Sequence, residues 1–330
     1  MAPFSARPVQ VLMDVDTGVD DAFALLFAAS HPDIDLLGVT CVDGNVDVDQ
    51  VVANTLVVLD AAGASKVPVA RGAERPLLNE PRYAREYHGQ DGLGDLGGAP
   101  SSRRPIDLHA VDFLQRTLSG APRPVVVIAL APLTNIALLL RMYPRVADKI
   151  ERLVLMGGSV GQGNATATAE FNVWHDPEAA AVAFRADIPI TMYGLDVYYD
   201  VTVSADQGEA LSRSHNPAAQ LASRLIGHQI KLVGNQGGSA ASTTLGDYGA
   251  VATFLDPDGA TIESAPVSVV TSPGLCRGQT IVDLRADRDL AEPDCRLPED
   301  RPVDVVTAVD GQRYASLWLT TLGYRGSPDA

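Results

Sequence analysis

The segment "DVDTGVDD", residues 14–21, puts Asp14, Asp16, Asp20 and Asp21 close together with no Lys or Arg among them. Any one of these carboxylates suits a turn or the first turn of a helix, where the macrodipole favours negative charge. As a set they repel, and converging carboxylates raise one another's pKa unless a cation intervenes. Hard oxygen donors suit Ca²⁺ or Mg²⁺, and Ca²⁺ tolerates irregular shells of about 6–8 ligands. The spacing is not that of an EF-hand, which uses alternate positions and a later Glu. The remaining ligands of such an ion must come from distant parts of the chain.

The elements that position the cluster follow from periodicity. The apolar run "VQVLMDV" reads as a strand, and the pattern after the cluster predicts a helix from Val19 to Ser30. "IDLLGVTCV" then precedes a helix ending at Gly63, and "PVVVIAL" leads into "APLTNIALLLRMY", with Pro132 in the first helical turn. "ERLVLMGG", a helix capped by Asp176 and "IPITMYG" complete the series. Short apolar strands alternating with helices imply an α/β fold with a mainly parallel central sheet flanked by helices. Ligands of such sheets bind beyond the carboxyl ends of the strands, where the acidic cluster falls. Two long loops, residues 71–105 and 157–173, are rich in glycine and polar residues and read as functional. From about Ser204 onward the pattern becomes more helical and less regular.

The 330 residues are 46% hydrophobic and 20% charged, enough for a large core. With no repeat or linker evident, residues 1–330 read as a single domain. A net charge of −16 excludes a nucleic-acid backbone or an anionic membrane as partner. Cys41, Cys276 and Cys295 are scattered and lack metal or disulfide spacing. The stretch "MAPFSARPVQ" has no apolar signal core and no segment reaches the roughly 20 apolar residues of a membrane span. The expectation is a cytoplasmic protein acting on a neutral small molecule.

"DVDTGVDDAFALLFA" resembles the amino-terminal signature of the nucleoside hydrolases, the inosine–uridine-preferring N-ribohydrolase family, with Thr17 where Pro is common. "GVTCVDGN", "HGQDGLG", "APLTNIA", "LVLMGG", "GNATATAEFNVWHDPEAA" and "GLDV" follow in the family's order, covering residues 9–200, and "GDYGAVATFLDP" matches beyond them. The resemblance implies hydrolysis of the N-glycosidic bond of a ribonucleoside, in a homodimer or homotetramer. It implies Ca²⁺ held by Asp16, Asp21, the Leu130 carbonyl and Asp247, with Asp16 as the base that deprotonates water. It also implies ribose binding by Asp20, Asn45, Asn164, Glu170 and Asn172, with Met156 lining the sugar pocket and His88 in a loop that closes over the ligand.

The chain departs from the resemblance at Gly246, where many members carry the His that protonates the leaving base and others an aromatic residue that stacks on it. Tyr248, His228, Tyr198 and Trp174 are the candidates to compensate. Two other readings stand beside hydrolysis. One is a nucleoside- or ribose-binding protein whose catalysis is too slow to matter. The other is a phosphotransferase, because a strand followed by "DVDT" resembles the first motif of haloacid-dehalogenase-type enzymes, with Asp14 as nucleophile. That reading leaves "VDD" unexplained.

Overall fold

Strand β1 (Val9–Val15) is buried from Val11 onward, as a mainly apolar strand covered on both faces must be, and its one buried carboxylate is Asp14. It lies in the middle of the sheet, parallel to β2 (Ile34–Cys41) on one side and, beyond β3 (Val69–Arg71) in sequence, to β4 (Val125–Ala129) on the other. β5 (Ile150–Met156) and β6 (Ile190–Tyr193) extend the parallel order outward from β4. The computed structural model describes residues 8–235, 241–285 and 302–324. Cys295 lies outside the described residues.

A two-stranded ribbon pairs β7 (Thr202–Ser204) with β8 (Ser242–Thr244). The main sheet is completed by β9 (Ala260–Val269), β10 (Thr280–Val282) and β11 (Pro302–Val309). The strand order is β10-β9-β11-β6-β5-β4-β1-β2-β3. β11 runs parallel to β6, whereas β9 and β10 are antiparallel additions at one edge. The mainly parallel α/β expectation therefore holds. The part after Ser204 is helical as expected, in Ala205–Ser212, Pro217–Asn235, Tyr248–Leu255 and Gly311–Thr321, and β9, β10 and β11 are strands that the sequence pattern does not place. Pro132 also falls before its helix, which starts at Thr134.

The helix Val19–Ser30 follows β1 with its acidic first turn facing the site, and its apolar face is buried. The helix Tyr248–Leu255 packs across it through Phe27 and Tyr248, whose ring centroids are 4.7 Å apart. Trp318, on the helix Gly311–Thr321, locks the pair by an edge contact with Phe23 and an Nε1 hydrogen bond to the Phe23 carbonyl at 3.1 Å. This packing carries Asp247, far along the chain, to the carboxyl end of β1. Among the described residues no helix is long and apolar enough to cross a membrane.

Candidate active site

Asp14 is fully buried near the end of β1. Its Oδ1 accepts from Thr40 Oγ1 at 2.5 Å and Asn135 Nδ2 at 2.8 Å. Burial outweighs these bonds and pushes its carboxyl up to about 7. Asp14 does not line the cavity described below. With its carboxylate tied to Thr40 and Asn135, Asp14 serves the packing of the strand ends, and the phosphotransferase reading gives way to the family match reported below.

Beyond β1, Asp16 turns its Oδ2 to the Asn45 backbone N–H, 2.7 Å away, in the loop after β2. A β-carbon at Gly44 would collide with that carboxylate, so the "DGN" turn requires glycine there. Asp21 Oδ2 accepts from the Gly18 N–H at 2.9 Å and from Asn45 Nδ2 at 3.3 Å. Asp247 precedes its helix but makes no side-chain capping bond, which leaves its carboxylate available. Oxygens of Asp20, Asp21 and Asp247 all lie within 4.8 Å of one another. Among the described residues, Asp16 Oδ1 and Asp21 Oδ1 are buried without a hydrogen-bond partner.

This geometry raises the carboxyl pKa values sharply. Burial is the largest cause for Asp16, Asp21 and Asp247, and repulsion among the neighbouring carboxylates adds to it. Buried anions persist only when paired or coordinated. Orphaned oxygens, hard donors and mutual repulsion together fit a divalent cation. The tightest trio contains Asp20, which the family resemblance assigns to ribose, while Asp16 bears on Asp21 from beneath.

Above the carboxylates opens a cavity of about 550 Å³. Asp20, Asn45, Leu130, Met156 and Asp247 line its floor, and His88, Asn164, Glu170 and Asn172 line its walls. Asp16 and Asp21 sit behind that floor. All the sequence-predicted residues are therefore gathered at one place. Glu170 caps the short helix Phe171–His175, accepting from the backbone N–H groups of Asn172 at 2.8 Å, Gly158 at 2.9 Å and Val173 at 3.0 Å. Burial nonetheless pushes its carboxyl up to about 7. Asn172 Nδ2 donates to the carbonyls of Leu130 at 3.0 Å and Met156 at 3.1 Å, tying two strand ends together. Asn164 Oδ1 accepts from the Phe171 N–H at 2.9 Å. These three residues thus shape the loop as well as facing the cavity.

His88 reaches the floor from the helix Arg85–His88, and its Nδ1 accepts from the Val19 N–H at 3.2 Å. That bond places the ring proton on Nε2, so the 3.6 Å approach of Nδ1 to Asp20 Oδ1 is not a hydrogen bond.

At position 246 the structure shows why glycine is present. Gly246 has φ +53°, and a β-carbon on it would lie 2.5 Å from Tyr198 Oη and 2.9 Å from Asp20 Cβ. Tyr198 fills the space that a side chain at 246 would occupy, and its hydroxyl donates to Asp20 Oδ2 at 2.5 Å. Of the compensating candidates, Tyr198 and Trp174 line the cavity. Tyr248 is buried in the core with its hydroxyl bonded to the Tyr314 carbonyl at 2.9 Å, and His228 packs on Gly94 outside the lining. Sequence reasoning missed Arg82, whose guanidinium carbon stands 4.3 Å from the centroid of the Trp174 ring. Arg82 lies in the loop 71–105, which its length and composition mark as functional, but no local pattern singles out this arginine.

Comparison with known proteins places this arrangement. The family model described as inosine-uridine preferring nucleoside hydrolase matches residues 11–316. The pyrimidine-specific ribonucleoside hydrolase RihB of Escherichia coli (strain SE11) is 35% identical over 278 residues, covering 83% of this chain and 87% of its own length. RihA of Citrobacter koseri, also named pyrimidine-specific, is 35% identical over 273 residues, covering 83% and 88%. The solved plant nucleoside hydrolase PpNRh1 superposes with a TM-score of 0.87 at 30% identity, over 96% of this chain and all of the other. A purine-preferring ribonucleoside hydrolase from Gardnerella vaginalis gives 0.85 at 30% identity, over 95% and 98%. With its fold, its acidic floor and these relatives in agreement, the chain belongs to the inosine–uridine preferring nucleoside hydrolase family.

Proposed function

We propose that the chain cleaves the N-glycosidic bond of ribonucleosides, releasing ribose and free base, with a calcium ion held by its carboxylate cluster. The observation that carries this reading is the convergence of Asp20, Asp21 and Asp247 within 4.8 Å beneath one cavity, with orphaned oxygens on Asp16 and Asp21. Asp16, Asp21, Asp247 and the Leu130 carbonyl are the proposed ligands, and Asp20 is near enough to join them. A bound ion would neutralise the cluster and supply Lewis-acid chemistry toward an attacking water.

The residues divide the remaining work. Bond cleavage passes through an oxocarbenium-like state, so the sugar must be held while positive charge develops on it. Asp20 and Asp247 on the floor and Glu170 on the wall place negative charge around that sugar. Asn45, Asn164 and Asn172 are rigidly hydrogen-bonded and present amide groups for hydroxyls, which turns binding into alignment. Asp16 has one oxygen fixed by Asn45 and the other without a partner, the arrangement of a base poised to take a proton. Met156 supplies an apolar floor patch, and His88 closes one wall. In this reading the protein works in the cytoplasm as a homodimer or homotetramer, which light scattering would show.

Incubation with a panel of purine and pyrimidine ribonucleosides, with calcium present and reducing sugar as readout, tests the proposal. Ribose release that Asp16→Ala abolishes is the expected result. Absence of release from every nucleoside, with tight binding by calorimetry, would instead identify a binding protein on the same scaffold.

A further inference from the structure

We propose that Arg82, braced on Trp174, is the catalytic group that accepts charge from the departing base in this chain. The inference rests on the hydrolase reading above and deepens it at the leaving-group side. Two nearby groups are already committed. Position 246 has no side chain and no room for one, because Tyr198 occupies the space. The single hydroxyl proton of Tyr198 is committed to Asp20, 2.5 Å away.

Arg82 is differently placed. Among the described residues it is the one Lys or Arg that lines the cavity, whose other charged walls are the carboxylates of Asp20, Glu86, Glu170 and Asp247. Among the described residues it also has no carboxylate ion-pair partner, unlike Arg71, Arg75 and Arg85 in the same segment, which pair with Asp49, Glu80 and Asp47. Its brace is instead the indole face of Trp174, a cation–π contact that orients the planar guanidinium without neutralising it. Trp174 belongs to the short helix Phe171–His175, which Glu170 caps and which also carries Asn172. The sugar contacts and the cation's support are therefore fixed to one rigid piece. A ribose seated on the acidic floor directs its base toward the cavity mouth, where Arg82, Phe171, Trp174 and Tyr199 provide flat apolar surfaces and one fork of donors.

The chemistry balances without a protein acid at the base. Water adds to the anomeric carbon and gives its proton to Asp16. The carbon–nitrogen bond breaks with both electrons passing to the base nitrogen. The base leaves as an anion, hydrogen-bonded through its ring nitrogen or carbonyl oxygen to the guanidinium. It takes up one proton from solvent on release, and Asp16 returns one to solvent. Arginine suits this role because it stays charged and offers several donors in one plane.

The test compares two leaving groups. Arg82→Gln, Arg82→Lys and the wild type are assayed on inosine and uridine, and on 4-nitrophenyl β-D-ribofuranoside, whose leaving group departs as a stable anion. Loss of one charge-assisted hydrogen bond made in the transition state predicts a kcat about 10- to 100-fold lower on nucleosides for Arg82→Gln, with KM little changed. The nitrophenyl riboside should change by less than about 3-fold on the same scale, and Arg82→Lys should recover part of the nucleoside activity. Equal losses on both substrates, or a rise in KM alone, overturn the proposal. So does the same leaving-group selectivity appearing in His88→Gln and not in Arg82→Gln. A wild type that hydrolyses neither substrate overturns the hydrolase reading, and this inference with it.

Discussion

Gly246→Ala is the most informative single substitution, because the structure sets its cost from two separate terms. The backbone at φ +53° lies in the left-handed region, where an L side chain costs roughly 1–2 kcal/mol. The added carbon would also stand 2.5 Å from Tyr198 Oη and 2.7 Å from Tyr198 Cζ, so the ring must move. Moving it breaks the 2.5 Å hydrogen bond to Asp20, a bond to a charged group of about 1.5–3 kcal/mol. The sum is about 2.5–5 kcal/mol, a fall in melting temperature of about 4–7 °C for a chain of this size. Differential scanning calorimetry measures it directly. In a Tyr198→Ala background the hydrogen-bond part disappears, leaving the backbone part of about 1–2 kcal/mol and the 2.9 Å approach to Asp20 Cβ. A loss below about 1 kcal/mol in the wild-type background, or the same loss in both backgrounds, would refute the idea that Tyr198 fills the position of the missing side chain.

Two further expectations concern Asp14 and can be measured together. Asp14→Asn keeps an acceptor for Thr40 and Asn135 and puts an amide where the partnerless Oδ2 lies, so ribose release should persist near the wild-type rate. A nucleophilic Asp14 would demand complete loss. The same substitution tests the pH dependence of stability. Asp14 rises from 3.8 unfolded to about 7 folded, so the native chain holds its proton longer, and stability from this group is present below about pH 4 and lost as pH rises through 7. Chelator-stripped wild type should therefore lose ground to Asp14→Asn between pH 5 and pH 8, by at most about 3 kcal/mol. A constant difference in melting temperature across that range would contradict the assignment.

Much of this site was legible in the residues themselves. The density of carboxylates at the end of a mainly apolar strand located the cluster, since a parallel sheet presents its strand ends to ligands. Asp176 was readable as a helix cap, and its Oδ1 accepts from the Ala179 N–H at 3.0 Å. What stayed hidden has physical reasons. β9 carries a run of exposed residues and Pro266, so its pattern lacks the apolar signature of the inner strands. β11 alternates only in part and pairs with β6 across a long sequence separation. The reason for Gly246 depends on a ring from a different helix, and no local pattern reports that Tyr198 lies over it. Arg82 sits in a loop without periodicity, where an arginine looks like any solvated charge until its aromatic neighbour is placed beside it.

The central claim is that buried carboxylates from both ends of the chain share one divalent cation. Calcium titrated calorimetrically into chelator-stripped protein tests it most directly, with Asp21→Asn and Asp247→Asn alongside the wild type. The account predicts one site per chain, with affinity reduced at least about 100-fold by either substitution, as loss of a charged ligand requires. Calcium that fails to bind, or binds with equal affinity to all three proteins, would contradict it.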